Sequence, residues 1–258
     1  MTVKTTPDSA QTTPVKTAGQ ITQTKTGLAV TINHWFEHHW LLTFNTGWGI
    51  FVTLPWLAPI FMTLGWTWPG RAVYFIYNFF CHQLPERSWF LFGPSFSYTQ
   101  SAIATAWERP LNTIANELVR RQFIGTPELG WKVAWSDRMV SMYGSIFLFG
   151  LLYALLRRQS HRLKGIPWWL FFIFILPLGL DGVTHLINDA LRLDFRQTNH
   201  WAVLLTSNSL PASFYDGDLF GSLNSMLRLV TGILFGFGVV AFLWPMMDKE
   251  FSPKKTIR

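Results

Sequence analysis

Residues 166–187 read IPWWLFFIFILPLGLDGVTHLI, an apolar run whose single formal charge is Asp181. A helix needs about 20 mostly apolar residues to cross a hydrocarbon core about 30 Å thick, and this stretch is long enough. An ionisable side chain inside such a span costs roughly 2.5–3.5 kcal/mol, so Asp181, with His185 one turn further on, needs a partner or a purpose. The run therefore predicts a membrane helix with a polar site towards one end.

Working outward, residues 48–68, 139–156 and 229–247 are also free of Asp, Glu, Lys and Arg. Residues 72–92 are apolar apart from CHQLPERS at 81–88. Charged residues make up 14% of the chain, against about 25% in an ordinary soluble domain. The predicted fold class is an all-α polytopic transmembrane bundle of about five membrane helices, with residues 72–92 either spanning or re-entering. RPLNTIANELVRRQFIG from Arg109 adds an interfacial helix. It has Pro110 at its first position and Leu111, Ile114, Ala115, Leu118 and Phe123 opposite Glu117, Arg120 and Arg121. Residues 1–40 are expected to form a disordered tail and an interfacial segment, 41–247 a single transmembrane domain, and 248–258 a basic cytoplasmic tail. The formal charge of +7 comes from basic residues that are scattered or flank the spans, which excludes a nucleic-acid partner and leaves the lipid bilayer as the expected one.

Short loops rich in Lys and Arg favour the cytoplasmic side. The connection RRQSHRLKG carries Arg157, Arg158, Arg162 and Lys164 without an acid, so it is placed inside the cell. The carboxy terminus, with Lys249, Lys254, Lys255 and Arg258, follows on the same side. The amino terminus is outside if residues 72–92 span, and inside with Lys4, Lys16 and Lys25 if they do not. Either way residues 81–88 lie towards the extracytoplasmic face.

That placement gathers the polar residues. Asp181, Thr184, His185 and Asn188 share one helical face, as do Asn224, Arg228 and Thr231; Arg138 leads a stripe through Ser141 and Ser145, with Asp137 beside it. All begin at the depth of Cys81, His82, Gln83, Glu86, Arg87 and Ser88. The expected pairings are Glu86 with Arg138 or Arg228, and Asp181 with Arg87 or Arg228. Such a cluster serves a small lipophilic ligand or a membrane-protein partner, holds helices together by ion pairing, or supports an intramembrane enzyme using Cys81 or His185 with Asp181; an accessory subunit of a larger complex is a further alternative. Cys81, His82, Asp181 and His185 are competent metal ligands, although adjacent Cys81 and His82 cannot share a helix face. The residues name no cofactor, and a single cysteine rules out an intrachain disulfide. His34, His38 and His39 read as interface anchors.

CHQLPERSWFLFG, GWKVAWSDRMVSMYG, LGLDGVTH and NSMLRLVTG, in that order, resemble the bacterial and archaeal multi-pass membrane family of domain of unknown function 2085. The likeness runs from about Tyr74 to Phe242. Its pattern falls on Cys81, His82, Gln83, Pro85, Arg87 and Ser88; on Asp137 or Arg138 with Tyr143; on Asp181, Gly182 and Thr184; and on Asn224, Arg228, Thr231 and Gly232. The resemblance implies no particular activity. Ser136 stands where members of the family often carry cysteine, which argues against a thiolate metal site or redox pair in this chain.

Overall fold

The computed structural model describes residues 20–159, 163–191 and 193–251. In chain order these form α1 (Gln20–Thr63), α2 (Thr67–Tyr77), a 3₁₀ turn (Pro85–Arg87), β1 (Ser88–Leu91), α3 (Gln100–Ala106), α4 (Leu111–Ile114), α5 (Glu117–Arg120), β2 (Gly125–Thr126) and β3 (Gly130–Ser136). Then come α6 (Asp137–Gln159), α7 (Trp168–Ala190), α8 (Phe195–Thr198), α9 (His200–Leu205), α10 (Ala212–Tyr215) and α11 (Leu223–Phe251). Among the described residues four helices are long and apolar enough to cross a membrane: Val30–Thr63, Asp137–Gln159, Trp168–Ala190 and Leu223–Phe251.

α11 is the centre of the bundle, packed against α6 on one side and α7 on the other. Small residues allow the close approach that lipid-immersed helices need in the absence of a hydrophobic drive between them. Gly232 and Gly236 of α11 face Ser141 and Ser145 of α6. Those two hydroxyls donate across the contact to the carbonyls of Arg228 (3.1 Å) and Gly232 (3.2 Å). At one end Trp40, Ile146, Tyr153, Val240 and Trp244 form a core, closed by Asp248, which accepts from Tyr153 at 2.9 Å and pairs with Arg157 at 2.8 Å. Leu176, Leu180, Val183 and Leu186 on the outer face of α7 are all exposed, as a lipid-facing surface requires.

Residues 72–92 do not span. α2 is an 11-residue helix, about 16 Å long at 1.5 Å per residue and so too short to cross. Beyond Tyr77 the chain turns, and Gln83 adopts a left-handed conformation with φ 53°. It then enters the 3₁₀ turn and β1. Four crossings place the start of α1, the α6–α7 connection and the end of α11 at one end of the bundle, and residues 64–136 and 191–222 at the other. Arg162 and Lys4, Lys16, Lys254, Lys255 and Arg258 lie outside the described residues, as does the side chain of Lys25.

The second end carries a small head that the sequence reading lacked. β1, β3 and β2 form an antiparallel sheet in the order β1-β3-β2. β3 escaped notice because its residues Val133, Ala134 and Trp135 are all buried, so it shows no alternation and runs straight into the apolar α6. α1 also reaches further than the apolar run from Trp48 predicted. At 44 residues it is about 66 Å long, twice the hydrocarbon thickness. Its polar early turns stay helical through i, i+4 contacts such as Asn33 to Glu37 at 2.6 Å. Its last turns offer Val52, Ala58 and Met62 to Val73, Tyr74, Tyr77 and Trp135 of the head. The interfacial helix expected from Arg109 is instead the two single turns α4 and α5. Pro110 caps α4 rather than opening it, and the Asn116 side chain accepts from Leu118 N at 2.9 Å to restart the chain as α5. Arg120, expected on a solvated face, is buried with its guanidinium donating to Ile114 O at 2.8 Å.

Candidate ligand site at the membrane boundary

CHQLPERS is the corner between α2 and β1, and its Gln83 and Ser88 side chains are spent on backbone carbonyls. The Gln83 amide donates to Tyr74 O at 2.9 Å, its backbone N–H to Cys81 Sγ at 3.3 Å, and Ser88 Oγ to Leu84 O at 2.9 Å. Gln83 O accepts from Lys132 Nζ at 2.6 Å, and Arg121 O from the same amine at 2.9 Å. Lys132 is fully buried, and burial lowers its pKa to about 7. Cys81 packs in the core and donates to Ser136 Oγ at 3.5 Å.

At this end of the spans the charges pair. Arg228 Nε donates to both oxygens of Asp137 at 2.8 and 3.0 Å, and its Nη1 to Asp218 at 2.6 Å. Arg87 holds the other oxygen of Asp218 at 3.0 Å and reaches Asp189 at 3.2 Å. Asp181 accepts from Arg138 at 2.6 Å and from Arg196. Glu86 lies 2.9 Å from Arg120 and accepts from Gln100 at 3.3 Å. Burial pushes the Glu86 carboxyl above its ordinary range against the pull of Arg120 and Arg87. Burial also opposes the charge on Asp218, yet Arg87 and Arg228 together hold its carboxyl well below that range. Asn224 donates to Arg196 O and to Gly217 O, the latter at 2.9 Å, which ties the 191–222 loop to α11.

The network leaves a cavity of about 220 Å³ between residues 81–87, the start of α6 and the end of α7. Cys81, His82, Arg87, Arg138, His185 and Arg228 are in its wall. His185 is 4% exposed, and among the described residues neither of its ring nitrogens has a hydrogen-bond partner. Its Nε2 stays 3.9 Å from Asp181, whose oxygens the two arginines already occupy. Arg138 Nε is likewise unpartnered. The cavity thus offers two free ring nitrogens of an imidazole, a guanidinium N–H, and a thiol with a serine hydroxyl. Gly182 and the lipid-exposed Leu186 of α7 are also in the wall, so the cavity sits at the flank of the bundle.

Of the residues picked out by spacing, Asp137, Arg138, Asp181, Asn224 and Arg228 belong to the ion-pair and amide network, and Cys81, His82, Gln83, Arg87 and His185 meet at the cavity. Thr184 bonds the carbonyls of its own helix, Leu180 at 2.9 Å and Asp181 at 3.0 Å, and Ser88 braces the corner. The expected partners were wrong: Glu86 takes Arg120, and Asp181 takes Arg138 and Arg196. Among the described residues no group of three or more His, Cys, Asp or Glu side chains is placed to hold a metal. Arg120, Asp189, Arg196 and Asp218 were missed. A guanidinium has five N–H donors to satisfy when buried, so three arginines at one depth called for more acceptors, and the acidic DGD at 216–218 was the available sign.

The family comparison fits this geometry. Residues 128–242 match the family described as "Predicted membrane protein (DUF2085)". The matched stretch holds β3, α6, α7, the loop carrying Arg196 and Asp218, and α11 as far as residue 242; the CHQLPERS corner lies before it. An uncharacterized protein of the archaeon Methanocaldococcus jannaschii is 23% identical over 212 residues, which cover 79% of this chain and 92% of the relative. No solved structure matches.

Proposed function

We propose that this DUF2085-related membrane protein binds the polar end of a small lipophilic ligand in the cavity walled by Cys81, His82, Arg87, Arg138, His185 and Arg228, at the extracytoplasmic ends of its helices. The observation that carries the reading is His185, buried, on the cavity wall, and bonded to nothing among the described residues. A buried polar group without a partner costs roughly 1–3 kcal/mol, and a ligand that supplies the missing hydrogen bonds recovers that cost. Leu186 at the flank gives the apolar remainder of the ligand a lipid-side position. The orientation rests on Arg157, Arg158, Lys164 and Lys249, which cluster at the opposite end and favour the cytoplasm; the carboxy terminus is then cytoplasmic.

Native mass spectrometry of the detergent-purified protein, with organic extraction of the same sample, tests this. A stoichiometric adduct is expected in the wild type, and it is lost or strongly reduced in His185→Gln and Cys81→Ser while the fold is kept. A bare polypeptide mass that is the same in all three proteins would reduce the cluster to a brace between helices.

A further inference from the structure

On the other side of the Arg87–Asp218 pair lies a second cleft, of about 560 Å³, on the head side of the bundle. Its lining is of opposite character. Glu86, Asp216 and Asp218 supply carboxylates, while Tyr98, Gln100 and Gln197 are among the hydroxyl and amide groups, and among the described residues no Lys, Arg or His takes part. Consecutive residues divide the two spaces, Glu86 lining the cleft and Arg87 the cavity.

Two features mark the cleft as built to receive a donor. Glu86 is 4% exposed, and its Oε2 accepts no hydrogen bond among the described residues. The carboxylates of the network each have an arginine, Glu86 through its other oxygen, whereas exposed Asp216 at the cleft has no ion pair among the described residues. The missing element is therefore a group that carries N–H donors and positive charge. No metal-holding group of carboxylates exists among the described residues, which favours an organic cation over a bare ion. We propose that this cleft binds a small primary ammonium compound, its N–H donors directed to Glu86 Oε2 and the Asp216 carboxylate and its remaining polar groups to the surrounding hydroxyls and amides. Asp218 connects this site to the cavity, since it lines the cleft while its two oxygens hold Arg87 and Arg228 of the cavity wall.

Isothermal titration of ethanolammonium chloride into the detergent-purified full-length protein tests the assignment, with glycerol and tetramethylammonium chloride as the uncharged and donor-free comparisons. Saturable ethanolammonium binding is expected, with neither comparison binding measurably. Loss of one charge-assisted hydrogen bond in Asp216→Asn or Glu86→Gln should weaken it by about tenfold to a hundredfold. Glu86→Gln also disturbs the buried Arg120, whereas Asp216 is exposed and its variant keeps the fold. Unchanged affinity in Asp216→Asn, equal binding of glycerol, or no saturable binding in the wild type overturns the proposal. Asp216 is not in the wall of the cavity, so these results are independent of the adduct sought there.

Discussion

Lys132 shows how burial makes it easier for a single side chain to give up its charge. Fully buried in β3, it donates to two carbonyls, Gln83 O and Arg121 O, and a neutral amine has the two N–H groups those bonds need. Its folded pKa of about 7 lies below the ordinary lysine value near 10.4 in the unfolded chain. Between these values the unfolded state binds more protons, so stability rises with pH from about 7 to about 10 and the contribution is absent below that window. Thermal unfolding in detergent should show the wild type gaining on Lys132→Met across that range; a constant difference between the two would contradict a neutral buried amine. Gln83 belongs to the same device, its left-handed backbone held by the hydrogen bond its side-chain amide donates to Tyr74 O and by the one its carbonyl accepts from the Lys132 amine. None of this was legible in CHQLPERS, because the groups that satisfy the motif come from Tyr74 and Lys132, on other elements.

Among the elements, the α6–α11 contact shows most directly how sequence sets packing. Gly232 and Gly236 are one turn apart on α11, and a Cβ at either would collide with Ser141 or Ser145. Gly236→Ala is expected to destabilise by roughly 1–3 kcal/mol, the usual cost of overpacking, measured as a lowered unfolding temperature. Ser145→Ala in the same chain should restore only part of it, since Ile146 N also lies 2.9 Å from the added carbon. The stripe of Ser141 and Ser145 was readable from helical spacing, and so was the shared face of Asp181, His185 and Asn188, all buried in the structure; Gly236 was not picked out. The partners across each stripe were not: a period of 3.6 says which residues share a face and nothing about what the face meets.

For the whole molecule, four crossings rather than five put both ends of the described chain on one side. Single cysteines at Gly27, Asn112 and Lys249 in a Cys81→Ser background test this with a membrane-impermeant maleimide on intact cells. Asn112→Cys should react from outside, and Gly27→Cys and Lys249→Cys only after permeabilisation. Opposite behaviour of Gly27→Cys and Lys249→Cys would restore a fifth span. The same count sets the head and the loop 191–222 against each other over the bundle; that juxtaposition creates the cleft, while the cavity lies between the head and the ends of α6 and α7.

The sequence by itself determined that this is a bilayer protein, where its three later spans lie, and that its polar residues gather at one depth. Those properties follow from run length and helical period, which are local. Tertiary structure decided that residues 72–92 turn back, that a three-stranded sheet sits on an over-long α1, and that Arg120, Asp189, Arg196 and Asp218 complete the charge network. Each of these depends on which distant groups satisfy a buried donor or acceptor, and only the folded chain brings those groups together.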